Sequence, residues 1–183
     1  MRRCLTLFIV AFTAGCSRYD PPPAHMVFGG LPVSGSLADA RQAGFTRCIE
    51  LGTTLRCRRN DVMFLGHGPY DAAVDLRGGD GRGGFDQLTI WHDRNQDAVF
   101  AVVDALEDSG WTTCATGVED RGDQQIYTRP GEPVRLSMDL SYWGKRRLRV
   151  IPEWNNRDRR CEALGPTQQN APPLRKRRST SNE

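Results

Sequence analysis

Alternation of apolar and polar residues is clearest in VRLSMDLSY, residues 134–142. Apolar side chains occupy every second position from Val134 to Tyr142, and polar ones fill the positions between: Arg135, Ser137, Asp139 and Ser141. Because successive side chains of a strand point to opposite faces, this period of two predicts a strand with one buried face. WGK then turns the chain into RRLRVIP, which predicts a hairpin.

Strands are also predicted earlier, in DAAVDLR and FDQLTIW, on either side of a glycine-rich loop. A helical pattern of apolar residues precedes each set of strands, first in SLADARQA and then in QDAVFAVVDALEDS. Gly44 and Gly110 follow these helices where a left-handed stop is needed. Two pairs are placed as N-terminal caps of the helices: Ser36 with Asp39, and Asp93 with Gln96.

Two short sequences recur along the chain. AGFTRC at 43–48 returns as SGWTTC at 109–114, and AVDL at 73–76 returns as SMDL at 137–140, at nearly constant spacing. We therefore predict an α+β fold of two tandem helix-then-antiparallel-strands units, which together form a helix-on-sheet two-layer domain. The predicted repeats cover about residues 34–92 and 93–161.

This layout is similar to the tandem repeats of β-lactamase inhibitor protein and of small outer-membrane assembly lipoproteins. No motif specific to either family occurs in the chain, so the likeness is one of layout only.

The N-terminus, MRRCLTLFIVAFTAGC, has two arginines, then an apolar run, then small residues before Cys16. This order is typical of an export signal, and the run is about half of the roughly 20 residues that a membrane-spanning helix needs. Phe12-Thr13-Ala14-Gly15-Cys16 resembles the lipobox of bacterial lipoproteins, with Thr13 in place of the usual leucine. An ordinary secretory signal with a chance cysteine is the alternative.

The resemblance implies that the signal, residues 1–15, is cut before Cys16, and that Cys16 carries a diacylglycerol and an acyl chain. Ser17 then favours the outer membrane, with the domain facing the periplasm. We expect a lipidated, proline-rich tether over 16–27, one domain over 28–165 and a disordered basic tail over 166–183.

Charge is unevenly placed along the chain. The whole sequence has a net charge of +3, but the signal and the tail hold the excess, and residues 16–165 are close to −2. The basicity therefore belongs to the ends, so we do not predict a nucleic-acid partner.

Six cysteines are present, of which Cys48, Cys57, Cys114 and Cys161 remain besides the lipidated one in the mature chain. An even number in an oxidising compartment predicts disulfides, and four cysteines allow three pairings. Cys48 and Cys57 flank a turn-like segment with Gly52, so we pair them, and pair Cys114 with Cys161. A zinc site is the competing interpretation, but no Cys-x-x-Cys spacing supports it.

Motifs for catalysis are weak. GDGRGG at 79–84 satisfies G-x-G-x-x-G, but a strand follows it where a dinucleotide site requires a helix. His67 and His92 have carboxylates near them in sequence, but no recognisable nucleophile accompanies them, so solvated loop histidines are the preferred interpretation. We predict that the protein binds no cofactor, has no metal site and is not an enzyme.

The most distinctive predicted surface is SYWGKRRLR, where Trp143 adjoins Lys145, Arg146 and Arg147 at a hairpin tip. An aromatic ring beside cations suits an acidic protein, an anionic glycan or lipid headgroups. The alternative is that Trp143 packs on the core and the cations form an ordinary solvated turn.

Three functions remain. The preferred one is a lipid-anchored periplasmic protein of the outer membrane, non-catalytic, which binds or helps assemble another envelope component through its sheet or the Trp143 hairpin. The second is a small envelope hydrolase that uses His67 or His92. The third is a secreted inhibitor-like binding protein in which Cys16 is not lipidated.

Overall fold

A computed structural model of the protein describes residues 26–115, 124–139 and 146–153. These ranges contain ten strands and two helices. In chain order they are β1 (Val27–Phe28), β2 (Leu31–Pro32), α1 (Leu37–Gln42), β3 (Arg47–Leu51), β4 (Thr54–Phe64), β5 (His67–Arg77), β6 (Phe85–Trp91), α2 (Phe100–Asp108), β7 (Thr112–Ala115), β8 (Gln124–Thr128), β9 (Val134–Asp139) and β10 (Leu148–Pro152).

Eight of the strands form one antiparallel sheet in the order β3-β4-β5-β6-β10-β9-β8-β7. Each helix precedes four strands that pair in succession, and the last strands of the two sets, β6 and β10, pair with each other. AGFTRC and SGWTTC end in the first strand of each set, while AVDL and most of SMDL lie in the third. The repeat boundaries predicted from these sequences stay a prediction.

The predicted fold class is wrong. The described chain is mostly β, with one large antiparallel sheet, and is not a helix-on-sheet α+β domain. The two helices have only six and nine residues, whereas β4 and β5 have eleven residues each, so strands dominate the described residues. Neither described helix is long and apolar enough to cross a membrane.

The two predicted helix caps have different outcomes. Ser36 and Asp39 form both hydrogen bonds of a capping box at the start of α1. The second prediction is wrong, because α2 begins at Phe100 without a side-chain cap. Asp93 instead accepts a hydrogen bond from Trp91 Nε1 at 3.1 Å.

Strand register separates the two faces of the sheet. A row of residues that pair from strand to strand across the sheet is fully buried on six neighbouring strands. These residues are Cys57, Val74, Leu88, Val150, Leu136 and Tyr127. Side chains from α1, α2 and the β1–β2 hairpin join the same core, among them Ala40, Val102, Leu106 and Leu31. Each fully buried large apolar side chain stabilises the fold by roughly 1.5–3 kcal/mol.

The neighbouring row, shifted by one residue, faces the other way because the side-chain period of a strand is two. It runs across the sheet through Arg47, Arg58, Ala73, Thr89, Arg149 and Ser137. We call the face that carries this row the polar face. It is this face that holds the candidate site.

Candidate functional site

A groove with a volume of about 430 Å³ lies on the polar face. It is lined by Arg47, Arg56, Arg58, Asn60, Asp71, Ala73, Gln87, Thr89, Trp91, Asp93, Arg147 and Arg149. Five of these twelve residues are arginines, so we call it the arginine groove.

Small side chains on the two middle strands form the floor. Arg58 pairs with Ala73 on β5, Ala73 with Thr89 on β6, and Thr89 with Arg149 on β10. Three strand spacings of about 4.8 Å therefore place the backbones of Arg58 and Arg149 about 14 Å apart. Long cationic side chains thus flank a low floor, and this difference in side-chain size shapes the groove.

One end of the groove is held by an ion pair between the half-buried Arg56 and the buried Asp75. Arg56 donates from Nε and Nη2 to the two carboxylate oxygens of Asp75, at 2.6 and 2.8 Å. Gln87 donates to the same carboxylate at 2.8 Å. The hydrogen bond to Asp75 raises the pKa of Arg56. Because its charge is matched, Arg56 fixes the shape of this end and adds little to the attraction of an anion.

The remaining cations of the groove are less constrained. Among the described residues, no carboxylate lies within 4.0 Å of the guanidinium groups of Arg58, Arg147 or Arg149. The Arg58 guanidinium lies over the Trp91 ring, 5.8 Å from its centroid. A guanidinium offers planar, paired donors that match carboxylate or phosphate oxygens, so these three residues can bind an anionic group.

The other end of the groove contains two neighbouring carboxyl groups, Asp71 and Asp93. Burial is the largest cause that raises the pKa of Asp71, and the charge of Asp93 and a hydrogen bond to it raise the pKa further. The charge of Arg47 acts in the opposite direction. This acidic end gives the groove a net charge that changes with pH.

The floor also holds an unsatisfied hydroxyl group. Thr89 is only 5% exposed, and its Oγ1 has no hydrogen-bond partner among the described residues. An unpaired buried hydroxyl carries a desolvation cost of about 1–3 kcal/mol.

The structure places the described residues of the predicted Trp143 surface in two different environments. Arg147 lines the arginine groove. Arg146 instead packs over the Phe100 ring at 4.6 Å, forms an ion pair with Asp97 and donates its backbone N–H to Gln96. Trp143 and Lys145 lie outside the described residues.

The structure does not bring His67 and His92 together. His67 is the first residue of β5, and His92 follows β6. Trp91 pairs with Asp71, so His92 lies about 10 Å from His67 along the strand direction. His92 Nδ1 already accepts the backbone N–H groups of Arg94 and Asn95, at 3.1 and 3.0 Å. His92 thus orders the loop after β6.

The structure contains the disulfide Cys48–Cys57, which joins β3 to β4. Cys114 is also disulfide-bonded, while its predicted partner Cys161 and the lipidation residue Cys16 lie outside the described residues. Cys48 shares the lateral row of Cys57, whereas Cys114 lies in the row of Ser137. The two cysteines of the matched sequences therefore occupy opposite faces of the sheet.

Four arginines of the groove, Arg47, Arg56, Arg58 and Arg149, were not singled out from the sequence. A signal for them exists, because Arg56 and Arg58 alternate with Cys57, and Arg147 and Arg149 alternate with Leu148. Alternation in a strand places like residues on one face. The order of strands, which brings β10 beside β6, has no comparable signal in a single sequence.

No protein-family model, curated protein or solved structure matches the chain. Within the described ranges, no group of three or more histidine, cysteine, aspartate or glutamate side chains is placed to hold a metal ion. The resemblance of residues 12–16 to a lipobox and the likeness of layout to tandem-repeat proteins stay predictions.

Proposed function

We propose that the protein is a lipid-anchored, non-catalytic binding protein of the outer membrane, which holds an acidic partner protein of the envelope in its arginine groove. The lipid anchor on Cys16 would keep the domain at the periplasmic surface of that membrane. The groove would supply the recognition.

The observation that carries this proposal is the convergence of Arg58, Arg147 and Arg149 on one concave face, with small floor residues between them. Positive charge around a concavity attracts acidic groups over a distance and raises the rate of encounter. The backbones of Arg58 and Arg149 are about 14 Å apart across the sheet, which leaves room between their side chains for acidic groups of a partner.

The surroundings of the groove favour a protein as the partner. The polar face continues beyond Arg47 to Ile49 and Leu51, which are 48% and 47% exposed. Protein interfaces combine arginine and aromatic side chains with apolar contacts, and Trp91 supplies the aromatic group here. An anionic glycan would gain less from the two aliphatic side chains.

Charge reversal in the groove tests the proposal. Crosslinking in the periplasm is expected to recover one dominant partner from the native protein. The double variant Arg58→Glu, Arg149→Glu should weaken this complex at least about tenfold, because repulsion replaces attraction at both sides of the groove. The measurement is the yield of the crosslinked product at matched expression.

Arg82→Glu is the matched control, since Arg82 is an exposed cation that pairs with Asp80 outside the groove. It makes the charge change of one of the two groove substitutions and should leave the product unchanged. Circular dichroism of both variants shows whether the fold is retained. An undiminished product from the folded double variant would contradict binding in the groove.

A further inference from the structure

β3 is an outermost strand of the eight-stranded sheet, and among the described residues it pairs only with β4. Its register with β4 is regular from Arg47 to Leu51, without a bulge. Native proteins commonly protect such an edge with bulges, prolines or charged residues, because an open edge can pair with another strand. β3 has neither a proline nor a bulge, and two of its five residues, Arg47 and Glu50, are charged.

The geometry of the disulfide shows which backbone groups face outward. The Cα atoms of Cys48 and Cys57 are 4.0 Å apart, a separation typical of a non-hydrogen-bonded antiparallel pair. Hydrogen-bonded pairs alternate with such pairs, so Arg47, Ile49 and Leu51 bond to β4. Cys48 and Glu50 therefore direct their N–H and C=O groups away from the sheet.

The side chains of this edge are unusual for the protein. Four large apolar side chains are exposed in the described part of the chain, and two of them, Ile49 and Leu51, lie on β3. Both point to the polar face beside Arg47, and Ile49 pairs with Arg56. β7 (Thr112–Ala115), at the opposite edge, has none of the four.

We propose that β3 is a docking edge to which the acidic partner adds an extended segment as a further strand. This inference rests on the proposed function and specifies how the partner binds. The outward groups of Cys48 and Glu50 would form the backbone hydrogen bonds, and alternate side chains of the added strand would enter the polar face.

Charge complementarity defines the occupant. The polar-face neighbours of an added strand are Arg47, Ile49 and Leu51, so a segment fits this edge when its polar-face positions carry an acidic side chain beside Arg47 and aliphatic ones beside Ile49 and Leu51. Pairing of β3 with β3 of a second copy would instead bring two arginine grooves side by side, and their like charges would repel. An acidic partner is therefore the occupant we assign.

The probe is a synthetic peptide with glutamate, valine and valine at the positions beside Arg47, Ile49 and Leu51, and with threonine at the positions between them. The control is the same peptide with lysine in place of the glutamate. The mature protein should bind the glutamate peptide and not the lysine peptide, as measured by fluorescence anisotropy. No binding of the glutamate peptide would overturn the proposal.

Two changes then test the backbone contacts. Glu50→Pro removes an outward N–H without touching the β3–β4 ladder, and edge strands tolerate proline there. It should weaken peptide binding about tenfold, whereas Glu50→Ala, which keeps the N–H, should bind nearly as the native protein does. N-methylation of alternate residues on the pairing side of the peptide should have the same effect, and needs no variant protein.

The outcomes separate the two proposals. If Glu50→Pro and the N-methylated peptide bind normally while Arg58→Glu, Arg149→Glu does not, strand addition is wrong and groove binding stands. If the arginine variant binds normally, groove binding is wrong. If native protein is a dimer in sedimentation and Glu50→Pro is a monomer with unchanged peptide affinity, the edge serves self-association and the acidic-partner proposal is overturned.

Discussion

Asp71 lies at the acidic end of the arginine groove, where the folded structure disfavours its charged form. Burial, the charge of Asp93 and their hydrogen bond together raise its pKa. A carboxyl group with a raised folded-state pKa binds its proton more tightly in the folded chain than in the unfolded chain. Its ionisation therefore destabilises the fold as pH rises from the ordinary aspartate pKa through the raised value.

Asp71→Asn should accordingly increase the free energy of unfolding at neutral pH, because it removes a carboxylate that the folded state disfavours. The gain should disappear as pH falls below the ordinary aspartate pKa, where Asp71 is protonated in both states. Urea unfolding of the two proteins across this range measures the difference.

Asp86→Asn is the matched control for this prediction, since Asp86 is an exposed aspartate on β6 outside the groove. A gain in stability from Asp71→Asn that does not change with pH would contradict the argument from ionisation. Asp71→Asn should also bind an acidic ligand more tightly at neutral pH, because the groove loses a negative charge.

Residue-level signals were informative where the interaction is local. The capping box of Ser36 and Asp39 spans three residues and was predicted, whereas Asp93 and Gln96 bind partners outside α2. Four of the five groove arginines were missed because net charge was summed along the chain. Residues 16–165 have a net charge close to −2 and nevertheless place five arginines around one groove.

At the scale of elements, the disulfide between β3 and β4 closes a short loop whose cysteines are nine residues apart. Removal of the disulfide by Cys48→Ala, Cys57→Ala should lower the free energy of unfolding by about 2–3 kcal/mol, chiefly because the unfolded chain gains conformational entropy. Equilibrium urea unfolding of the oxidised native protein and the double variant gives this difference.

Met63→Ala provides a control substitution at an exposed position of β4, and should change the unfolding free energy little. Equal free energies of unfolding for the native protein and the cysteine variant would contradict this prediction, because they would show that the disulfide adds no stability to the sheet.

The positions of strands and helices were predicted better than the share of the chain that each takes up. The strand β9 was visible because its alternation has a period of two, and β10 was predicted as its hairpin partner. The hairpin of β3 and β4 was visible from the turn-like segment with Gly52 between Cys48 and Cys57. The second helix was predicted too long, since the polar residues before Phe100 fit a helical pattern but form turns. The length of β4, whose register shifts near Val62, has no periodic signal because a bulge breaks the alternation.

At the scale of the whole molecule, location and binding can be tested separately. The lipid anchor determines the location, and the arginine groove determines the binding. Cys16→Ala should release the protein from the membrane fraction, because the acyl chains have no other attachment residue in the predicted lipobox. Membrane fractionation, with mass measurement of the native protein for the added lipid, tests this.

Ser17→Asp is the companion variant, since an aspartate after the lipidated cysteine should move the protein to the inner membrane without removing the lipid. Unchanged membrane association of Cys16→Ala would contradict the lipoprotein assignment and favour an ordinary secretory signal. Neither variant alters a residue of the groove, so affinity for an acidic peptide should be unaffected.

The bond between Cys48 and Cys57 also limits what β3 can exchange. In many complexes an edge strand leaves its own sheet and is replaced by the equivalent strand of another molecule, which produces swapped dimers. Here β3 is covalently held to β4, so a visiting strand can join the sheet but cannot displace its outermost member. Binding at this edge would then be reversible, with no refolding of the host needed for release.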